Sequence, residues 1–167
     1  MARSNTWDAI AYRPLGPPWE AVASLFRFAG AWTPDLESVA GGWGAWDGEA
    51  LCGALLAERA GTSAMLHGPV VVAPSDAPAD AALEVADHLV ADALAGAPAD
   101  GIETIFTRPQ GLDRIWVRSG FIPVPEVELP GPLRGRPGVG LFGWRGGTAL
   151  WSSTGRGASR PRSVPAR

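Results

Sequence analysis

Residues 67–74 read His67-Gly68-Pro69-Val70-Val71-Val72-Ala73-Pro74. Three successive β-branched residues favour extended backbone, and an unbroken apolar run suits a strand buried on both faces. Pro74 closes the run, so a strand is predicted over Ala64–Ala73. Working upstream, Gly61 separates it from a strand at Glu49–Arg59. Asp47-Gly48 is a tight-turn dipeptide that joins that strand to one at Trp43–Trp46, giving a hairpin. Gly41-Gly42 is read as the stop of a short helix at Pro34–Val39. Before it, Trp19, Val22, Ala23, Phe26 and Ala29 recur at helical spacing, so Trp19–Ala29 is predicted as an amphipathic helix. Thr6–Leu15 reads as the first strand, ended by Gly16-Pro17-Pro18.

Downstream, Asp76–Pro78 is turn-like. Leu83, Ala86, Leu89, Val90 and Leu94 then form a helical stripe, with Asp80, Glu84, Asp87, His88 and Asp92 mostly on the opposite face. Ile102–Thr107 reads as a short strand. Leu112–Ser119 reads as a helix with Leu112, Ile115 and Trp116 inward, and Gly120 stands where a C-terminal stop belongs. Phe121–Leu129 is predicted as a strand, with Pro123 and Pro125 marking an edge or a bulge. Pro130–Pro137 is a loop, and Val139–Trp144 is the last strand.

The chain has 167 residues, enough for one domain with a real core, and 46% of them are hydrophobic. All 14 basic residues are Arg, a usage we attribute to codon bias. Residues 1–150 hold all 17 acids and 10 of the Arg, so the body is acidic and unsuited to gripping phosphate backbones. Residues 151–167 hold the other four Arg and no acid, in a Ser-, Gly- and Pro-rich setting with little to bury. The expected organisation is a single domain over 1–150 and a disordered, Arg-rich tail over 151–167. A nucleic-acid role through the tail is disfavoured by its thin charge. The lone Cys52 makes a reducing cytoplasm the expected compartment, and no apolar run is long enough for a membrane span.

The order of elements resembles the GNAT N-acetyltransferase superfamily over roughly residues 6–145. Three features carry the resemblance: the run 67–74, the loop and helix after it, and the passage Asp113-Arg114-Ile115-Trp116-Val117-Arg118-Ser119-Gly120-Phe121 with its Gly-Phe step. The resemblance implies an α/β fold with a GNAT-like mixed, mostly antiparallel central sheet flanked by helices. It implies an acyl-CoA donor (acetyl-CoA or another) and an amine acceptor, small molecule or peptide, with no membrane partner. On the matching positions, Val70, Val71 and Val72 would pair with the pantetheine arm, and Ala77, Ala79 and Ala82 would meet the pyrophosphate.

Two departures stand against that pattern. The family's pyrophosphate loop is rich in Arg and Gly, whereas this chain has Ala77-Pro78-Ala79-Asp80-Ala81-Ala82, with Asp76 just before it. Pro78 removes an N–H donor, and the acids would oppose phosphate, although acids at a helix start are also good caps. Many relatives place a Tyr five residues before the Phe of Gly-Phe, to protonate the departing thiolate. Here that residue is Trp116, whose indole has no useful acidity.

As proton acceptors for an amine, the candidates are His67, Glu58 and Glu103. His67 suits a general base by its ordinary pKa, and either Glu suits one acting through water; the bland reading of all three is structural. His88 reads as a surface residue. Trp7, Trp19, Trp32, Trp43 and Trp46 fit either an aromatic pocket or core filling. Two His and one Cys give no metal-ligand spacing. The departures equally suit a catalytically silent GNAT-fold module that binds another ligand or partner.

Overall fold

The structure is a computed structural model that describes residues 9–146. The tail over 151–167, Trp7 and the start of the first predicted strand lie outside the described residues.

Strand β1 (Ala11–Leu15) leads to helix α1 (Glu20–Phe28) and a 3-10 turn at Leu36–Ser38 capped by Asp35. Strands β2 (Val39–Asp47), β3 (Ala50–Ala60) and β4 (Ser63–Val71) follow as two hairpins. Helix α2 (Ala81–Gly96), β5 (Thr104–Thr107), α3 (Asp113–Arg118), β6 (Ile122–Pro123) and β7 (Phe142–Arg145) complete the order. The seven strands form one sheet in the order β1-β2-β3-β4-β5-β7-β6. Every pairing is antiparallel except β4 with β5. The expected mixed, mostly antiparallel α/β sheet is therefore present.

One face of the sheet buries Leu55, Leu66 and Ile105 against Val85, Leu89 and Val90 of α2 and Trp116 of α3. The other face carries two smaller clusters. Val22, Leu25 and Phe26 of α1 pack on Ala54, Leu56 and Val70. Met65 and Phe106 pack on Leu129, Leu133 and Leu141 from the segment between β6 and β7. At about 25 cal/mol per Å² of apolar surface removed from water, these faces supply the main drive to fold.

Several boundaries differ from expectation. Gly41 and Gly42 do not stop a helix; they lie inside β2, paired with Ala57 and Leu56. A Cβ on Gly42 would come within 2.7 Å of the Leu55 carbonyl oxygen, so the strands need a glycine there to approach. The predicted strand 121–129 shrinks to Ile122–Pro123, because Pro125 opens a 3-10 turn at Glu126–Glu128. The buried stripe of α2 is rotated from the predicted one. Val85 and Ala93 face the core, whereas Leu83 is 48% exposed.

Candidate active site

The chemistry gathers where β4 and β5 part. Their parallel pairing ends at Leu66 opposite Thr107, a rung also tied by the Thr107 hydroxyl, which donates to the Leu66 carbonyl at 3.3 Å. Beyond it β4 runs on through His67–Val71 with β3 on one side only. The Val72 N–H donates to Cys52 O on the β3 side at 2.8 Å. Backbone groups alternate along a strand, so Val71 turns its own N–H and C=O to the free edge. A bulge sets this stretch: Gly68 and Pro69 stand opposite the single residue Leu55, between the pairs Leu56–His67 and Ala54–Val70. Gly68 has φ +103°, and a Cβ there would meet the Ala54 carbonyl oxygen at 2.9 Å.

The gap opens into a cleft of about 360 Å³ that passes between the two faces of the sheet. Trp32 and the end of α1 wall one side. His67, Val70 and Val71 form the floor, and Ala82, Leu83, Ala86 and Trp116 line the far end.

His67 is 7% exposed and lines this cleft. Its Nε2 lies 2.6 Å from Glu58 Oε2. Glu58 is 3% exposed and takes two more hydrogen bonds from Arg136, Nε to Oε2 at 3.0 Å and Nη2 to Oε1 at 2.8 Å. Burial alone would raise the Glu58 pKa, but the bonds from Arg136 and His67 together hold it below the usual carboxylate value. An ionised carboxylate only accepts, so Nε2 carries the proton. Burial pushes the His67 pKa below its ordinary value, against the pull of Glu58, and the charge of Arg136 adds to the depression. The imidazole is therefore neutral near pH 7. Its Nδ1 has no protein partner and is not sealed by neighbouring atoms, so its lone pair is left for the cleft. The Trp32 ring packs beside the imidazole at a tilt of 60°, with centroids 5.2 Å apart.

Arg136 comes from the segment between β6 and β7, 78 residues after Glu58 in the chain. It also donates to the carbonyls of Arg134 at 2.6 Å and Pro132 at 3.1 Å, so one guanidinium fastens this loop to the sheet. Nothing in the local sequence marked Arg136; its partner is distant in the chain, and only the fold brings them together.

The other sequence candidates fall in different places. Glu103 is exposed and precedes β5 at the end away from the cleft, where its N–H donates to Thr62 O at 2.8 Å. Glu58 lies beneath His67, not in the cleft wall. Of the residues matched to cofactor contacts, Val70, Val71 and Ala82 line the cleft. Val72 is bonded to β3, Ala77 packs against the main core, and Ala79 is exposed. His88 is exposed, stacked on Tyr12 at 3.5 Å. Among the tryptophans, Trp32 and Trp116 line the cleft, whereas Trp19 and Trp43 pack against the two larger core clusters. Trp116 is fully buried, edge-on to Phe121, and its Nε1 finds no acceptor. The loop before α2 has no residue in the left-handed region, and its Ala77 and Ala81 N–H groups are spent on Pro74 O and Pro78 O, each at 3.0 Å. Among the described residues no group of His, Cys, Asp and Glu could hold a metal ion, and no helix is long and apolar enough to cross a membrane.

No protein-family model matches this sequence, and no curated protein matches it. Solved structures do. A GNAT-family acetyltransferase from Staphylococcus aureus Mu50 is similar over 83% of this chain and 100% of its own, at TM-score 0.63 and 12% identity. N-acetylglutamate synthase from Neisseria gonorrhoeae, complexed with coenzyme A and N-acetyl-glutamate, matches 81% of this chain over 35% of its own length, at TM-score 0.61 and 15% identity. The ribosomal-protein-S18-alanine N-acetyltransferase from Escherichia coli matches 81% of this chain and 93% of its own, at TM-score 0.59 and 11% identity. The chain has the GNAT fold.

Proposed function

We propose that the protein transfers an acyl group from a thioester to an amine, with His67 as the general base. The observation that carries this reading is the His67–Glu58–Arg136 relay, which leaves a neutral imidazole Nδ1 open to the cleft at the point where β4 and β5 separate. The similar folds that are named as N-acetyltransferases support the reaction class.

The thioester supplies an activated carbonyl. The free edge at Val71 suits an amide-bearing arm, which can add to β4 as a strand would. As the amine nitrogen bonds to the carbonyl carbon, His67 Nδ1 takes its proton, and the carbon–sulfur bond breaks. Glu58 then stabilises the imidazolium through Nε2, and Arg136 keeps Glu58 ionised and in place. Trp116 cannot protonate the leaving thiolate, so that proton comes from water.

The test is thiol release from S-acetylpantetheine or acetyl-CoA in the presence of an amine panel, with His67→Ala beside the native chain. A loss of about 100-fold or more in the variant, with the fold intact, is expected for removal of a general base. Equal turnover by both proteins would refute the role of His67. A second reading, a silent binding module, draws on the acidic loop before α2; it predicts no turnover of either thioester with any amine in that panel.

A further inference from the structure

Resting on that reading, we propose that the acyl donor is recognised through its pantetheine arm alone, and that the nucleotide half of coenzyme A contributes nothing to binding. The cleft fixes the donor's path. Its lining runs from His67 along Val70 and Val71 to Ala82, Leu83 and Ala86 in the first turns of α2. An arm laid along β4 therefore emerges over the loop 74–80, and any phosphates it carries must lie there.

That loop is built against phosphate in three ways. Its side chains are acidic: Asp76 and Asp80 are exposed, and Glu84 adds a carboxylate in the first turn of α2. No Arg or Lys occurs between Arg59 and Arg108, while the same stretch holds seven acids. Its backbone is not shaped to wrap an anion: Pro78 has no N–H, Ala77 and Ala81 donate to carbonyls of the loop itself, and no left-handed residue forms an anion-binding nest, which leaves only the first-turn N–H groups of α2, such as those of Ala82 and Leu83, beside the three carboxylates. Its neighbour gives little relief. α3 packs against α2 and brings Arg114 and Arg118, but Arg118 lies 3.3 Å from Asp87 and is spent there. Arg108 lines the cleft, but both of its terminal nitrogens are bonded to the Glu126 carboxylate. The apolar half of the site fits a neutral amide arm, and the charged half repels a polyanion.

Calorimetric titration of the full chain with coenzyme A and with pantetheine, at about 50 mM and about 500 mM salt, tests this. Coenzyme A should bind no tighter than pantetheine, and added salt should leave coenzyme A binding unchanged or tighten it, because it screens repulsion. The double variant Asp76→Asn/Asp80→Asn should tighten coenzyme A about tenfold and leave pantetheine unaffected. Coenzyme A binding about tenfold or more tighter than pantetheine, and weakening with salt, would overturn the inference while leaving acyl transfer standing. So would a double variant with unaltered coenzyme A affinity. Failure of both ligands to bind would reject the acyl-transfer reading and this inference with it.

Discussion

At the scale of single residues, the pair His67 and Glu58 makes the sharpest predictions. Both have native pKa values below their ordinary ones, near 6.5 for His and 4.5 for Glu. Below pH 6.5 the unfolded chain binds more protons at His67 than the native chain does, so stability rises with pH across that range. Glu58 acts in the same sense lower down: its contribution is present above 4.5 and lost as pH falls through its depressed native value. The melting temperature should therefore fall as pH drops from about 7.5 to about 5, and His67→Gln should flatten the upper part of that fall. An identical slope in the variant would contradict this assignment. Catalysis should show an acid limb, since only neutral His67 can take a proton. Glu58→Gln keeps the shape but loses the charge, and should cost roughly 10- to 100-fold in kcat/KM, read from initial rates. His67 and Glu58 were both visible in the sequence as candidates, each as an isolated residue. That they touch follows from the pairing of β3 with β4, which sets Glu58 opposite Met65, two residues from His67 and on the same face.

At the scale of elements, the bulge in β4 and the loop that carries Arg136 do the positioning. Gly68→Ala would force a side chain into a left-handed backbone and against the Ala54 carbonyl. We expect a loss of about 1–3 kcal/mol, measured by denaturant unfolding. Arg136→Met would leave a buried carboxylate with His67 as its only partner and release the loop from the sheet. Because Arg136 is itself 24% exposed, about 2–4 kcal/mol is expected. The same variant should raise the His67 pKa, since the Arg136 charge helps to depress it. The chain has only two histidines, so an imidazole NMR titration reads this directly. The strand at 64–73 was legible because β-branched runs and a terminal Pro are local signals. The role of Gly41-Gly42 was not, because a glycine pair reads as a stop unless the neighbouring strand that needs the space is known.

At the scale of the whole molecule, stability rests chiefly on the face of the sheet under α2. Leu89 has no exposed surface there and packs with Leu55, Val85 and Val90. Leu89→Ala should cost about 2–5 kcal/mol and lower the melting temperature of the entire domain in one cooperative step. A calorimetric scan that splits into two transitions would show that the faces of the sheet unfold independently. The cleft itself is a product of the global arrangement: β4 has 9 residues and its neighbour β5 has 4, so β4 runs on past the end of their pairing at Leu66 and Thr107.

The sequence by itself determined the element order, the buried strand before Pro74, the helix that covers it, and the acidic, glycine-free loop between them. These are properties of neighbouring residues, so composition and periodicity report them. Only the tertiary structure decided which of the candidate bases share a site. It sent Glu103 to the far end of β5, buried Glu58 behind His67, and brought in Arg136 from the end of the domain. Those outcomes depend on strand register and loop closure over as many as 78 residues, and no local pattern encodes them.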